Sequence, residues 1–259
     1  MKKELLGREI RHIKIKSFNT VHFVKQLEKM AFQAKNLARA ARIYDKMLSD
    51  KNCSIILTLT GSLFSAGLKT VVYDLIDNNM IDIIVSTGAI IVDQDFFEAL
   101  GFRHYQGTSQ IDDKELMKRK IDRIYDTFID EEELRICDKT IAKIADNLPP
   151  KPYSSREFVK FMGEYLDKEK RGKGSVVWVA YKKGIHIFIP AFSDCSAGFG
   201  LIYHQYKREK RGKVDRGYPQ MVFSEATIAL PLIVNYAYQK GKWKKRKRKD
   251  FNHFLDENG

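Results

Sequence analysis

The chain has 259 residues, of which 44% are hydrophobic and 31% charged, an ordinary composition for a globular protein. No run approaches the ~20 apolar residues that a membrane-spanning helix needs, and the N-terminus opens on charged residues rather than on the apolar region of a signal peptide. The three cysteines are widely spaced and include no Cys-x-x-Cys pair, which favours reduced thiols in a cytoplasmic protein over a disulfide frame or a zinc site.

The net charge of +13 is spread unevenly along the chain. Residues 207–249 hold 14 Lys and Arg residues against 3 acidic residues, a local net charge of +11. Basic runs of this kind bind nucleic acid or an acidic partner by releasing counterions, but near a chain end they are more often solvated tails. We therefore expect residues 1–241 to form a single α/β domain and residues 242–259 to form a mobile tail, first basic and then acidic. A nucleic-acid-associated protein that uses the basic runs stays an alternative, but it would need aromatic residues among the basic ones on a folded platform. Trp243 is the one aromatic residue within the basic run 242–249, which disfavours nucleic acid as a partner.

Two apolar runs early in the chain have the composition of short buried strands, and each is followed by a turn that contains glycine. Residues 54–59 precede Thr60-Gly61-Ser62, and residues 81–85 precede Ser86-Thr87-Gly88-Ala89. After each turn the apolar residues recur at helical spacing, and the second helical pattern ends near Gly101, since glycine commonly terminates a helix. Glycine in such turns lets backbone N–H groups approach a phosphate or a ribose closely.

The middle of the chain is predicted to be helical, because acidic or hydroxyl residues stand where helices would begin. Asp112 and Asp130 each open a cluster of acids suited to the first turn of a helix, and Ser154 with Glu157 forms a capping-box pattern. The density of acids also resembles that of a metal site. Helix starts explain their spacing, so we expect no bound metal.

Three histidines, His104, His186 and His204, could act as acid–base groups near neutral pH. Each stands beside an aromatic or aliphatic residue, which favours packing in the core or at its edge over catalysis. We interpret Cys53 and Cys137 in the same way, as residues of the core.

Two later apolar runs, residues 185–190 and 221–223, are followed by turns at residues 193–198 and 224–227. Continuous apolar strands connected by helices predict an α/β fold with a Rossmann-like, mostly parallel sheet flanked by helices. In such a sheet ligands bind in the crevice outside the carboxyl ends of the strands. We expect the four turns to meet there in a site of nucleotide size.

Longer motifs resemble one known family and occur in that family's order from about Phe18 to Trp243. They lie at residues 87–89, 104–107, 121–127, 152–158, 189–200 and 225–232. The family that they resemble is deoxyhypusine synthase, and specifically its microbial deoxyhypusine synthase-like branch. What the resemblance implies is an NAD-dependent transferase that works as a homotetramer with active sites shared between subunits.

In the family that the chain resembles, NAD takes a hydride from spermidine and the resulting imine passes to an enzyme lysine. The butylamine group then goes to a lysine of the hypusine-bearing translation factor, or to a free diamine in homospermidine-forming relatives. By motif position, the resemblance implies that the NAD-binding residues are Gly61, Ser62, Leu63, Thr87, Gly88, Ala89, Asp194, Glu225 and Ala226. Backbone amides would face the pyrophosphate, and hydroxyl and carboxylate groups would face the ribose and the amine.

The chain departs from the family after Tyr203-His204-Gln205, where the family has a long segment with a glycine-triplet turn and a polyamine-binding histidine. Here the chain passes to Arg211-Gly212-Lys213, which resembles the end of the family's Trp-Gly-Lys motif. Lys213 is therefore the best match to the catalytic lysine, and the alternative is that it is one more solvated cation of a basic loop. Phe199 stands where many members carry an acid for the polyamine ammonium. We expect an abbreviated member of the family, acting either as an enzyme or as a non-catalytic partner subunit of a complete paralogue.

Overall fold

The structure of the protein, a computed structural model, describes the backbone of residues 2–210 and the side chains of residues 2–208. The helices are α1 (Lys2–Leu5), α2 (Val21–Leu27), α3 (Phe32–Ser49), α4 (Lys69–Asp77), α5 (Phe97–Ala99), α6 (Asp113–Lys118), α7 (Glu131–Asp146), α8 (Ser155–Lys168), α9 (Val176–Lys183) and α10 (Ser196–Lys210). The strands are β1 (Ile56–Leu59), β2 (Ile83–Ser86), β3 (Tyr105–Gln106), β4 (Ile121–Ile124), β5 (Thr127–Asp130) and β6 (His186–Phe188). A 3-10 turn spans Ile15–Ser17, and π-helical segments span Phe64–Leu68 and Ala89–Phe96. The predicted strand at residues 221–223 and the predicted tail at residues 242–259 lie outside the described residues.

Within residues 2–210, the first sheet has three parallel strands in the order β1-β2-β6. Its register pairs Leu59 with Ser86, and Ile84 with Ile187. Ile84 and Ile187 are both buried, as expected for a parallel strand whose two faces are covered by other elements. The three apolar runs predicted as strands within the described residues are thus confirmed. So is the α/β class, with a parallel sheet flanked by helices.

A second sheet, which the sequence did not predict, has three antiparallel strands in the order β3-β5-β4. It lies in the region predicted to be helical, so that prediction is wrong for residues 121–130. The physical reason is the composition of β4 and β5, which carry β-branched and aromatic residues and are joined by a two-residue turn. Phe128 and Ile121 form a small separate core with Leu116 of α6.

The predicted helix starts are confirmed by their caps. The side chain of Asp112 accepts a hydrogen bond from the backbone N–H of Lys114 at 2.9 Å, and α6 begins at Asp113. Asp130 caps α7 in the same way. Ser154 and Glu157 form a reciprocal capping box at the start of α8. These caps satisfy N–H groups that would otherwise lack partners at each helix start.

The helix over residues 89–99 consists of the π-helical segment Ala89–Phe96 followed directly by α5, and we call it the central helix. Ile90, Ile91 and Phe96 on it are fully inaccessible to solvent. Cys137 packs in the same core and Cys53 lies partly buried against it, which confirms the interpretation of both thiols as core residues. Among residues 2–210, no helix combines the length and the apolar character needed to span a bilayer.

Candidate functional site

The carboxyl ends of β1, β2 and β6 lie at one edge of the parallel sheet, because all three strands run in the same direction. β2 is the middle strand, so the turn that follows it lies between the segments that follow β1 and β6. Leu59 and Ser86, the last residues of β1 and β2, are direct partners. The edge is where ligands bind in open α/β sheets.

The first turn (residues 61–63) follows β1 and opens on Gly61, whose φ of +76° is the left-handed conformation that glycine adopts without strain. The backbone N–H groups of Phe64 and Ser65, just beyond the turn, donate to the side-chain oxygen of Gln94 at 3.0 and 2.9 Å. These two amides are therefore engaged within the protein. Residues 61–63 remain as the part of this turn that a ligand could reach.

The second turn (residues 87–89) follows β2 and leads into the central helix, with Gly88 as the residue that precedes the helix. A Cβ atom placed on Gly88 would lie 2.5 Å from Sγ of Cys195 and 2.9 Å from its Cβ, so no larger residue fits without movement. Thr87 beside it is exposed. A helix N-terminus at this edge presents backbone N–H groups and the positive end of the helix dipole, which favours a phosphate.

Asp194 lies in the segment that connects β6 to α10, and residues 193–196 are called the Asp194 segment below. Its carboxylate is exposed, and its backbone N–H donates to the carbonyl of Ala191 at 2.9 Å. The contact of Cys195 with Gly88 places this segment against the second turn. Phe199, on the first turns of α10, is 65% exposed.

Three consecutive polar residues of the central helix, Asp93, Gln94 and Asp95, reach the N-termini of three other helices. Gln94 accepts hydrogen bonds from the first two N–H groups of the π-helical segment Phe64–Leu68, which follows the first turn. Asp93 binds Ser196, the first residue of α10. Asp95 accepts hydrogen bonds from the start of α9: Ser175 Oγ at 2.7 Å, and the N–H groups of Val176 at 2.8 Å and Val177 at 2.9 Å. We call Asp93, Gln94 and Asp95 the capping triplet.

Burial raises the pKa of Asp95, although the charge of Lys69 and the hydrogen bonds at the start of α9 oppose that rise. Burial likewise raises the pKa of Asp93 to about 6, against the hydrogen bonds from Ser196 and with a further rise from the charge of Asp138. The pKa of Asp138 is also raised by burial to about 6. Burial and the neighbouring Asp93 raise the pKa of the Cys195 thiol to about 12. Burial first, and the neighbouring carboxylates second, thus favour the protonated thiol of Cys195.

A buried ionic cluster joins the far end of the central helix to the N-terminal segment. The Glu98 carboxylate binds Nε2 of His12 and Nδ1 of His104, each at 2.8 Å, and Nζ of Lys69. Burial by itself would raise the pKa of Glu98, but the hydrogen bonds from both histidines and the charge of Lys69 outweigh it and hold that pKa well below its usual value. This arrangement makes His104 part of a structural cluster, in line with the packing role predicted for it.

His204 is buried on α10 and contacts Asp146 of α7 through Nδ1 at 2.5 Å, whereas His186 is exposed on β6. His104 and His204 thus lie in the core, and His186 lies on β6, an outer strand of the sheet as far as the described residues form it.

The structure therefore places the first turn, the second turn and Asp194 at one sheet edge, while Lys213, Glu225 and Ala226 lie outside the described residues. Within residues 2–210, no three His, Cys, Asp or Glu side chains are grouped as a metal ion would require. Sequence reasoning missed the capping triplet. Its signal was the occurrence of three adjacent polar residues inside a helix that is otherwise apolar.

Comparisons with known proteins identify the family. The sequence model described as deoxyhypusine synthase matches residues 22–217. A deoxyhypusine synthase-like protein of Chlorobaculum tepidum is 44% identical over 333 aligned positions, which cover 97% of this chain and 95% of the relative. A deoxyhypusine synthase-like protein of Caulobacter vibrioides is 48% identical over 208 residues, which cover 80% of this chain and 57% of the relative.

A crystal structure of a proposed deoxyhypusine synthase from Entamoeba histolytica superposes with a TM-score of 0.54 at 20% identity. The superposition covers 87% of this chain and 74% of that chain. At such low identity the likeness shows the fold alone.

The alignment with the Chlorobaculum tepidum relative contains a large gap. The matched 97% of this chain amounts to about 251 of its 259 residues, whereas the alignment runs over 333 positions. About 80 positions of the alignment therefore have no counterpart in this chain. The sequence predicts such a missing segment after residue 205.

The family match over most of the chain and these relatives show that the protein belongs to the deoxyhypusine synthase family, a family of transferases.

Proposed function

We propose that this protein carries out NAD-dependent transfer of an aminobutyl group from spermidine to a lysine of the hypusine-bearing translation factor. The observation that carries the proposal is the close approach of Gly88 to Cys195, which joins the second turn to the Asp194 segment at the N-terminus of the central helix. This edge combines a helix N-terminus with an exposed carboxylate. Those groups suit the pyrophosphate and the ribose of a dinucleotide.

The described residues that would hold NAD are the backbone of residues 61–63, the backbone of residues 87–89 and the carboxylate of Asp194. NAD supplies the chemistry of hydride acceptance from the amine donor. Thr87 has an exposed hydroxyl at the same edge, and Asp194 an exposed carboxylate that can accept hydrogen bonds from ribose hydroxyls or pair with an ammonium group. Glu225 and Ala226, further along the chain, complete the proposed set.

Lys213 is the proposed nucleophile, because it holds the position of the catalytic lysine in the family motif. A lysine forms an imine with a carbonyl-like carbon only when its amine is neutral, and neighbouring cations favour that form. Arg211 and Arg216 lie two and three residues away in the sequence. Lys213 would carry the aminobutyl group as an imine, with diaminopropane as the group that leaves spermidine. Transfer to the acceptor amine would free Lys213, and the hydride taken from spermidine would return to reduce the acceptor imine.

Borohydride trapping tests this proposal. After incubation with NAD and spermidine, reduction should add a butylamine-sized mass to the peptide that contains Lys213, and Lys213→Ala should abolish it. Lys210→Ala is the matched control, since it removes a lysine of the same basic run three residues earlier. An adduct that survives Lys213→Ala, or the absence of any adduct when every plausible partner subunit is supplied and the acceptor is left out, would refute the assignment. A transfer reaction run once with the translation factor and once with a free diamine such as putrescine as the acceptor distinguishes a homospermidine-type activity.

A second candidate is a non-catalytic partner subunit of a complete paralogue. Two observations favour it: the gap of about 80 positions, and the exposure of Phe199 where many members of the family carry an acid. In mixed-subunit assays a partner subunit raises the activity of the complete paralogue, and Lys213→Ala leaves that stimulation intact. Loss of the stimulation in Lys213→Ala would favour the catalytic role.

We also propose that the protein is an oligomer, with a homotetramer or a hetero-oligomer with a paralogue as the assemblies that the family implies. The support lies in α2 and α3, which expose large apolar side chains, among them Phe23 at 63%, Phe32 at 89% and Leu37 at 58%. Exposed apolar groups at this density commonly mark a protein interface. Sedimentation of the protein alone, and mixed with a paralogue, measures the assembly.

A further inference from the structure

The carboxylate of Asp93 makes two hydrogen bonds to the first residue of α10. Ser196 Oγ donates to Oδ1 at 2.6 Å, and the backbone N–H of Ser196 donates to Oδ2 at 3.2 Å. Asp93 belongs to the central helix, and 103 residues separate the partners along the chain. The Asp93–Ser196 contact therefore ties the start of α10 to the helix that begins at the second turn.

The residue before Ser196 makes a second contact with the same part of the protein. Cys195 packs so closely on Gly88 that no Cβ atom fits at that position. The thiol of Cys195 also lies 3.1 Å from the carbonyl oxygen of Phe192, so the segment turns back on itself just before α10. Asp194 directly precedes Cys195 and Ser196, so its position depends on the contacts that these two residues make with Gly88 and Asp93.

We propose that Asp93 is a positioning residue, whose carboxylate fastens the Asp194 segment to the second turn and thereby sets where Asp194 stands at the sheet edge. The role of Asp194 in binding a cofactor rests on the proposed function. The fastening itself does not, because it concerns only the contact between the central helix and α10.

The electrostatics of the cluster argue against a role in stability alone. Asp93 from the central helix and Asp138 from α7 both interact with Ser196, and burial raises the pKa of each. The thiols of Cys137 and Cys195 face the same carboxylates, and the positive charge of Arg135 acts on Asp138. A buried ionised carboxylate disfavours folding, and groups with strongly shifted pKa values cluster at functional sites.

Two substitutions separate the hydrogen bonds of Asp93 from its charge. Asp93→Asn removes the charge and keeps groups that can bond both the N–H and the hydroxyl of Ser196. Asp93→Ala removes the charge and both hydrogen bonds. Ser196→Ala, in which the N–H remains, serves as an intermediate variant. Any difference between Asp93→Ala and Asp93→Asn therefore reports on the hydrogen bonds.

Site-resolved thiol labelling reads out the fastening in the full chain. Cys195 should react about tenfold faster or more in Asp93→Ala than in Asp93→Asn, because the loss of two hydrogen bonds of about 1 kcal/mol each favours local opening. Cys137 is fully buried and is labelled only on global unfolding, so in both variants it should react more slowly than Cys195. Equal labelling of Cys195 in the two variants would overturn the proposal. Labelling of Cys195 no faster than that of Cys137 in Asp93→Ala would overturn it as well, because the Asp194 segment would then open only when the whole fold unfolds.

Calorimetry with NAD separates this proposal from the proposed function. Weaker binding by Asp93→Ala than by Asp93→Asn is expected if the fastening positions Asp194 for the cofactor. If no variant binds NAD while the labelling contrast holds, the fastening stands and the proposed cofactor role of Asp194 fails. If NAD binds all variants equally, Asp93 does not position Asp194 for the cofactor, and that half of the proposal is overturned.

Discussion

Replacing Asp93 by asparagine should stabilise the protein at neutral pH. The pKa of this carboxyl is raised from 3.8 to about 6 by burial, in spite of its hydrogen bonds to Ser196. A pKa that is higher by one in the folded protein corresponds to about 1.4 kcal/mol, so the ionised carboxylate lowers the free energy of unfolding by about 3 kcal/mol once it is fully charged. Asparagine has nearly the same shape as the protonated acid and lacks this penalty.

The raised pKa of Asp93 also determines how the stabilisation by Asp93→Asn varies with pH. Because the pKa in the folded state is raised, the folded protein binds more protons than the unfolded chain between about pH 4 and pH 6. The penalty is nearly absent below that window and is complete above it. The advantage of Asp93→Asn should therefore approach about 3 kcal/mol at pH 7.5 and fall to about 1 kcal/mol at pH 4.5.

Urea unfolding of the wild type and of Asp93→Asn at both pH values measures this difference. Asp126→Asn is the control, since it removes the same formal charge at the exposed turn between β4 and β5. A variant that is less stable than the wild type at pH 7.5 would refute the reasoning. An advantage of the same size at both pH values would refute it as well.

Three further substitutions have defined outcomes. Gly88→Ala should lower the free energy of unfolding by about 1–3 kcal/mol in urea titrations, because the added Cβ overlaps Cys195, and a loss restricted to NAD affinity would contradict this packing. Lys69→Met should destabilise the protein by about 3 kcal/mol, because it removes the lysine from the buried carboxylate of Glu98, and an unchanged melting temperature would show that the histidines suffice. Phe32→Glu on α3 should shift the sedimentation coefficient towards that of a monomer with unchanged helix content, whereas an unaltered assembly would exclude this side chain from the interface.

Much of the sheet edge was predictable because its signals are local. The turns at Gly61 and Gly88 directly follow apolar runs, and a parallel sheet brings the ends of such runs to one edge. The helix starts at Asp112, Asp130 and Ser154 depend on hydrogen bonds that span two or three residues. Patterns of this length can be read from the sequence without knowledge of the fold.

The contacts that hold the edge together were not predictable, because their partners are distant in the sequence. Asp93 and Ser196 are separated by 103 residues, and His12 and Glu98 by 86. The polar side chains of the central helix show only that partners must exist, since buried polar groups need hydrogen bonds. Which helix start each of them caps is decided by tertiary packing.

The second sheet was missed for a related reason. Acidic residues flank β4 and β5, and the same residues form the caps of α6 and α7. Because these acids indicate helix starts, the whole region that they span was interpreted as helical, including the hairpin of β4 and β5. The strands depend on pairing with each other and with β3, which a pattern of four residues per strand indicates only weakly.

Hydrogen–deuterium exchange with and without a large excess of NAD tests the candidate site most directly. We predict slower exchange of backbone amides in peptides that cover residues 61–63, residues 87–89 and the Asp194 segment, because those amides would lie against the bound dinucleotide. Peptides from β3, β4 and β5 should exchange at unchanged rates, since these strands belong to the other sheet. Protection that is absent from the sheet edge, or that appears only in the antiparallel sheet, would contradict the assignment of the dinucleotide site to this edge.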